Sequence, residues 1–274
     1  MAKTFKIGMI GGGNMGSAMI GGMLSGQLYG AGEVIACDKS IEARERLERA
    51  YGIMTTGEPK EAAADADVVI IAVKPAQIQE VLNAIRGAIS PDQIIVSIAA
   101  GVAIKKIEEG LISIETAGQL KVTRVMPNTP ALVGAAMCAL APNQFMGDED
   151  IKRVREIFDS FGRTEVVNEE MMDVVTGLSG SSPAFVYMLI EAMADAAVAE
   201  GMTRSMAYTF AAQTVLGSAK MVLETGEHPG KLKDAVCSPG GTTIRGVLSL
   251  EENGFRQAIQ SAVIAATERS KELG

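Results

Sequence analysis

One turn near the C-terminal end combines hydroxyl groups, glycines and backbone amides without a titratable side chain. It reads Ser238-Pro239-Gly240-Gly241-Thr242-Thr243 and precedes an apolar run with helical spacing. Glycines allow a ligand to approach the backbone closely, and the first amides of a helix are unpaired and carry the positive end of its dipole. The turn therefore predicts an anion site, although capping of a buried helix is the alternative interpretation. The residues predicted to hold the anion are Ser238, Gly240, Gly241, Thr242 and Thr243.

A second turn with phosphate-binding chemistry lies near the N-terminal end. The sequence Gly11-Gly12-Gly13-Asn14-Met15-Gly16 has the spacing G-x-G-x-x-G. It follows the apolar run Phe5–Ile10 directly and opens the helical pattern Asn14–Leu24, which is the context in which this motif binds a dinucleotide. We expect a pyrophosphate at the helix N-terminus, and a tight glycine turn without a ligand is the alternative. The predicted contacts are Gly11, Gly13, Asn14, Met15 and Gly16.

The end of the second predicted strand carries conflicting signals about the cofactor. Asp38 closes this strand, where an acid takes the ribose 2′-hydroxyl and favours NAD. Lys39 and Ser40 follow at once, and a cation with a hydroxyl group suits the 2′-phosphate of NADP. The three residues are predicted to bind the cofactor. Capping of the next helix is the alternative interpretation, and the choice between NADPH and NADH stays open.

Two later strands end in turns at the edge of the predicted sheet where ligands bind in open α/β folds. These turns are Ala72-Val73-Lys74-Pro75 and Ala99-Ala100-Gly101, and both are predicted to line the nicotinamide ribose. For Lys74-Pro75, the start of a loop without a ligand is the alternative interpretation. Asn128 lies between two prolines after the next strand. Its amide is either a turn former or a ligand group for the substrate.

Hydrophobic periodicity divides the chain into two parts. Predicted strands are Phe5–Ile10, Glu33–Cys37, Val68–Val73, Ile94–Ile98, Thr123–Met126, Ala136–Ala141 and Thr164–Val167. Predicted helices are Asn14–Leu24, Ile41–Tyr51, Ile78–Ile89, Asp148–Phe161, Pro183–Glu200, Arg204–Glu224, Thr243–Glu252 and Gly254–Leu273. Apolar strands that alternate with helices predict a doubly wound parallel sheet of the Rossmann type, and the later helices predict an all-α domain. The predicted domains are 1–168 and 169–274.

Composition restricts the partners. The chain has 274 residues, of which 47% are hydrophobic, and a net charge of −8, so no basic surface for nucleic acid or an anionic membrane is expected. Three separated cysteines suit neither disulfides nor a metal cluster and indicate a reducing cytoplasm. The apolar stretch 183–201 contains three acidic residues, which predicts a buried helix rather than a membrane span. The apolar C-terminal helices predict an oligomer.

Six strings together resemble pyrroline-5-carboxylate reductases over nearly the whole chain. They are Gly11 to Gly16, Ala72 to Pro75, Ser97 to Gly101, Arg124 to Pro130, Gly180 to Ala184 and Ser238 to Thr243. The resemblance implies reduction of 1-pyrroline-5-carboxylate to L-proline by NADPH, with NADH as a second candidate donor. It also implies a homodimer through the C-terminal helices, within a decamer built from dimers. Thr243 and Ser181 are the catalytic residues that it implies, with Thr243 bonded to the substrate nitrogen or relaying a proton. By its position before Pro183 alone, Ser181 is predicted to cap the following helix.

Two other classes of protein compete with this interpretation. A β-hydroxyacid dehydrogenase uses a lysine on the long helix of its second domain, whereas Pro183–Glu200 contains neither Lys nor Asn. A nucleotide sensor without turnover has no need for a second anion turn. Reduction of an imine also agrees with the lack of a strong acid near the turn, because a cyclic imine acquires its proton from water.

Overall fold

Short runs of apolar residues form one eight-stranded sheet in the computed structural model, which describes residues 4–113 and 119–273. The strands lie in the order β3-β2-β1-β4-β5-β6-β7-β8. They are β1 (Phe5–Ile10), β2 (Val34–Cys37), β3 (Met54–Thr56), β4 (Ala66–Ile71), β5 (Ile94–Ser97), β6 (Lys121–Met126), β7 (Ala136–Pro142) and β8 (Gly162–Val166).

The sheet is parallel except at one pair of strands. Ile7 of β1 lies opposite Val34 of β2 and Val68 of β4, both in parallel register. β6 and β7 pair antiparallel, with Val125 opposite Leu140. The prediction of a parallel sheet is wrong at this pair, because residues 127–135 form too short a connection for a parallel crossover.

Helices cover both faces of the sheet and continue into the C-terminal part. Their bounds are α1 (Asn14–Ser25), α2 (Ile41–Tyr51), α3 (Pro59–Ala64), α4 (Ile78–Ile85), α5 (Ile104–Leu111), α6 (Asp148–Asp159), α7 (Met172–Val175), α8 (Ser182–Ala199), α9 (Arg204–Thr225), α10 (Pro229–Val236), α11 (Thr242–Glu252) and α12 (Phe255–Leu273). A π-helical turn, Thr176–Gly180, precedes α8.

Alternate residues of the central strands supply two hydrophobic cores. Val68 and Ile70 of β4 pack in the core formed with α1, α2 and α6. Val69 and Ile71 of the same strand pack in the core formed with α3, α4 and α5. A strand buried on both faces needs an apolar residue at every position, which explains its unbroken apolar sequence.

The predicted elements are present, with differences at their ends and five omissions. The strand predicted at Val68–Val73 is Ala66–Ile71, so Ala72-Val73-Lys74-Pro75 lies wholly beyond its end. The sequence did not indicate β3, α3, α5, α7 and α10. β3 and α3 are short, and short segments carry too few residues for a periodic signal. The helix predicted to Ile89 ends at Ile85 and is followed by a 3₁₀ turn.

Contacts divide the described residues into two compact units. One contains the residues up to Gly180 together with those from Ala266 onward, and the other is Ser181–Ala265. The division into domains 1–168 and 169–274 stays a prediction.

The second unit leaves much apolar surface exposed. α8 packs against α9, yet Met188 is 68% and Phe210 is 60% exposed. The stretch Glu169–Ala199 is long and apolar enough to cross a membrane by length and composition alone, because it contains an 18-residue window with a mean hydropathy of 1.3. Within α8 only Ala194 is buried. The expectation of a buried helix is therefore wrong for a single chain.

Candidate functional site

The glycine turn after β1 has a backbone that only glycine can adopt without strain. Gly11 has a φ of +112°, and a Cβ atom there would lie 2.4 Å from the carbonyl oxygen of Ala72. A Cβ on Gly16 would lie 2.1 Å from the carbonyl oxygen of Gly11. The backbone is thus folded tightly across the ends of β1 and β4, where the strand order changes direction.

Gly13 faces open space at the start of α1. A Cβ atom there would meet nothing within 4 Å, and Gly13 provides no side-chain cap for the helix. The first amides of α1 therefore keep their donor capacity for a ligand, and the helix dipole favours an anion at this place. The residues fit a bound pyrophosphate: Gly11 allows the tight turn and Gly13 leaves room for close approach.

A cavity of about 200 Å³ lies at the carboxyl edge of the sheet next to this turn. It brings together seven residues predicted from the sequence, which are Gly11, Gly13, Asp38, Lys39, Ala72, Val73 and Lys74. It is also lined by residues that the sequence did not indicate, namely Ile10, Cys37, Pro59, Gln77, Glu80 and Val81. The other predicted cofactor contacts lie outside this lining, and they are Asn14, Met15, Gly16, Ser40, Pro75, Ala99, Ala100 and Gly101.

Asp38 is bonded to the backbone of the glycine turn. Its Oδ2 accepts a hydrogen bond from the Gly12 amide at 2.8 Å, and its Oδ1 accepts one from the Ser40 amide at 2.9 Å. The carboxylate therefore ties the end of β2 to the phosphate-binding turn. Ser40 accepts from the Ala43 amide at 3.2 Å, so the capping interpretation is right for Ser40.

Two arginines of α2 also hold this region, and the sequence analysis missed both. The Nη1 of Arg44 donates to the carbonyl oxygen of Asp38 at 2.8 Å, and the Nη2 of Arg46 donates to that of Gly12 at 2.7 Å. Both arginines lie on the helix that follows β2, shortly after Asp38, and this position in the sequence could have indicated that they reach the turn. They place positive charge beside the turn in an acidic protein.

Cys37 lines the cavity, and both burial and nearby carboxylates raise the pKa of its thiol. Burial, the largest cause, and the charge of Asp38 raise the pKa of the Cys37 thiol to about 11. The thiol is therefore protonated near neutral pH, and Cys37 acts as a small apolar residue of the cavity wall.

The second predicted anion turn is a tight reversal followed by a helix. The Gly241 amide donates to the Ser238 carbonyl oxygen at 3.0 Å, and Gly240 has a φ of +68°. Glycine at the second central position supplies the positive φ that a type II turn requires, and proline is common at the first. Gly241 precedes α11 and provides no side-chain cap. The amides that start α11 therefore face the turn without a capping side chain, as an anion site requires.

Thr242 and Thr243 form the first two residues of α11, which begins one residue earlier than predicted. Thr243 is half-buried, and Ser238 and Gly240 are exposed in the single chain. A Cβ atom on Gly241 would lie 2.3 Å from the Ser238 Oγ, so glycine is needed for this close packing. All five predicted residues lie together at one helix N-terminus.

Ser181 and Asn128 differ in what their polar groups do. Ser181 precedes α8 but makes no side-chain cap bond, so capping does not explain this hydroxyl. Asn128 accepts from the Met137 amide at 2.9 Å and donates to the Ser179 carbonyl oxygen at 3.0 Å. Both ends of its amide are engaged, and this supports the turn-forming interpretation over that of a substrate ligand.

The strand order 3-2-1-4-5-6 and the glycine turn at its switch point define a dinucleotide-binding oxidoreductase domain of the Rossmann type. Residues 6–101 match the family described as NADP oxidoreductase, coenzyme F420-dependent. Residues 169–273 match the family described as pyrroline-5-carboxylate reductase dimerisation. The chain belongs to the pyrroline-5-carboxylate reductase family.

Relatives support this membership over the full length. The pyrroline-5-carboxylate reductase of Escherichia coli strain K12 is 49% identical over 269 residues, which are 98% of each chain. A solved pyrroline-5-carboxylate reductase from Coxiella burnetii is 32% identical with a TM-score of 0.91 and 99% of each chain covered. A Plasmodium falciparum pyrroline carboxylate reductase solved with NADP bound is 34% identical with a TM-score of 0.85 and 100% of each chain covered.

Proposed function

We propose that the protein reduces the C=N bond of 1-pyrroline-5-carboxylate with NADPH to give L-proline, the last step of proline biosynthesis. The observation that carries the proposal is the full-length match to reductases of this name, at 49% identity for one of them. The two turns agree with it, because the reaction needs one site for a dinucleotide and another for a small carboxylate.

The glycine turn and its surroundings are proposed to hold NADPH. Amides at the start of α1 bind the pyrophosphate, and Gly13 allows it close to the backbone. Asp38 holds the turn in shape through the Gly12 amide, and Lys39 lies where it can reach the ribose end. The remaining proposed contacts are Gly11, Asn14, Met15, Gly16, Ser40, Ala72, Val73, Lys74, Pro75, Ala99, Ala100 and Gly101.

The turn before α11 is proposed to bind the substrate carboxylate. Backbone amides of Thr242 and Thr243 and the Ser238 hydroxyl donate to its oxygens. Each such charge-assisted bond contributes about 1.5 to 3 kcal/mol. Gly240 and Gly241 shape the turn, and Asn128 positions the π-helical turn through Ser179 without binding the substrate.

The reduced nicotinamide ring supplies the hydride. The ring nitrogen of the substrate takes its proton from water, so the chain needs no strong acid. Thr243 is proposed to hold a hydrogen bond at this nitrogen, and Ser181 is proposed to assist because its hydroxyl makes no cap bond.

Loss of the near-ultraviolet absorbance of NADPH on addition of 1-pyrroline-5-carboxylate tests the function. We expect oxidation of NADPH with this imine, and no reduction of NADP+ or NAD+ when a β-hydroxy acid is added instead. Reduction of NADP+ or NAD+ by a β-hydroxy acid, without turnover of the imine, would assign the rival dehydrogenase class, and binding of NADPH without any turnover would assign a sensor.

The C-terminal helices are proposed to form a homodimer, and five dimers a decamer, with functional domains at 1–168 and 169–274. Support comes from the match of residues 169–273 to a dimerisation family and from exposed apolar residues such as Met188 and Phe210. Light scattering at micromolar concentration is expected to give a mass of at least a dimer, and a monomer would contradict the proposal. A cytoplasmic location is proposed because Cys37, Cys138 and Cys237 are free thiols.

A further inference from the structure

Lys39 and Glu80 form an ion pair within the lining of the cavity. Lys39 follows β2, and Glu80 lies in the first turn of α4. The Lys39 Nζ is 2.5 Å from the Glu80 Oε1. The pair therefore connects two separate elements of the cavity wall, and it uses the ammonium group that lies nearest in sequence to the end of β2.

We propose that Glu80 is a specificity-determining residue that competes with the 2′-phosphate of NADPH for Lys39. The inference rests on the proposed function, because it concerns the cofactor site of that reaction. Without cofactor, the Glu80 carboxylate holds Lys39. When NADPH binds, the ammonium group exchanges this carboxylate for the 2′-phosphate, whereas NADH brings no anion and leaves the pair intact.

The pair is weak enough to be exchanged. Both side chains are largely exposed, Lys39 by 63% and Glu80 by 65%. Exposed pairs change an equilibrium constant by at most about fivefold, since water and salt screen them. A phosphate monoester carries up to two charges and three acceptor oxygens, so it is the stronger partner for one ammonium group.

Among the residues that follow β2, Lys39 is the one that supplies a cation to the cavity lining, which also contains Lys74 beyond the end of β4. Asp38 is occupied by the Gly12 and Ser40 amides and keeps its negative charge beside the cavity. Arg44 holds the carbonyl oxygens of Asp38 and Lys39, at 2.8 and 3.4 Å from its Nη1, so it positions the loop that carries Lys39.

Several carboxylates lie near the end of β2, on the side of the cavity that Lys39 lines. Asp38, Glu58 and Glu61 are close enough to Cys37, a residue of the same wall, to raise the pKa of its thiol. Glu80 adds a further negative charge and also neutralises the one lysine that the loop supplies. Removal of Glu80 alone therefore relieves repulsion and frees Lys39 at the same time.

Calorimetry on the full-length protein without substrate tests the proposal, with adenosine 2′,5′-bisphosphate and AMP as probes. We expect Glu80→Gln to bind the bisphosphate about threefold to tenfold more tightly, from the lost competition and repulsion, and to bind AMP within twofold of the unaltered protein. The matched control is Glu45→Gln, which removes the same charge from an exposed pair with Arg49. This control is expected to change neither affinity.

A Lys39→Gln variant separates competition from general repulsion. When Lys39 is already Gln, we expect Glu80→Gln to raise the bisphosphate affinity by less than half as much, on a logarithmic scale, as it does when Lys39 is present. Equal bisphosphate affinity for Glu80→Gln and the unaltered protein, an equal gain in Glu45→Gln, or no bisphosphate binding at all would each overturn the inference. These binding measurements contain no imine, so the inference can fail while the protein still turns over 1-pyrroline-5-carboxylate. Conversely, the protein can lack this turnover while Glu80→Gln still raises the bisphosphate affinity.

Discussion

Replacement of Asp38 by alanine distinguishes two roles for this carboxylate. If it mainly bound the ribose 2′-hydroxyl, Asp38→Ala would weaken NADH binding and leave NADPH binding nearly unchanged. In the structure both carboxylate oxygens accept backbone amides, and Oδ2 accepts that of Gly12 inside the phosphate-binding turn. We therefore expect the substitution to weaken both cofactors, because the turn loses the group that holds its shape.

The magnitude follows from the bond to Gly12. A hydrogen bond to a charged group contributes about 1.5 to 3 kcal/mol, and loss of the lower value corresponds to roughly a tenfold change in affinity. The removed negative charge favours the 2′-phosphate by about 1 kcal/mol in water-exposed surroundings, which offsets part of the loss for NADPH. The expected result is a dissociation constant about tenfold higher for NADH and about twofold higher for NADPH.

Fluorescence titration of the two reduced cofactors, without substrate, measures both constants. The control is Asp92→Ala, which removes an acid at an exposed turn before β5. A loss confined to NADH, with NADPH affinity unchanged or improved, would refute the positioning role and restore the ribose-binding role. A loss of the same size in the control would show that net charge causes it.

Asn128→Ala is expected to lower the free energy of unfolding by about 2 to 4 kcal/mol in urea titrations, because the Met137 amide and the Ser179 carbonyl lose their partner. The control is Asn253→Ala, which removes an exposed hydrogen bond to the Ser249 carbonyl oxygen. Equal losses in the two variants would contradict the structural role of Asn128. Thr243→Ala is expected to lower kcat about tenfold with unchanged cofactor affinity, because we propose that its hydroxyl bonds to the substrate and not to the cofactor; an unchanged kcat would exclude this role. Alkylation of Cys37 in a Cys237→Ser variant is expected to stay slow until the pH approaches 11. Because the folded pKa is raised from 9.0, this thiol contributes stability below pH 9 that is lost as the pH rises towards 11.

Local sequence carried much of the fold and both candidate turns. β1, the glycine turn and α1 could be predicted because an apolar strand, a required positive φ and helical periodicity are properties of neighbouring residues. The turn before α11 could be predicted for the same reason, since Pro239 and Gly240 are residue types that favour the backbone angles of this turn. By contrast, the three residues of β3 are too few for a periodic signal, and hydrophobic periodicity gives the same pattern for a buried strand whichever way it runs, so it did not show that β7 pairs antiparallel with β6.

The amino-acid sequence by itself determined the class of each turn, the α/β order and the family, because these follow from residue types at fixed short spacings. Only the tertiary structure decided what individual side chains do there. Asp38 bonds to Gly12, Lys39 pairs with Glu80 and Asn128 joins Ser179, and each pair is separated by 26 or more residues. A charged or polar group takes whichever partner the folded chain brings within reach, so a motif specifies the site and the fold assigns its bonds.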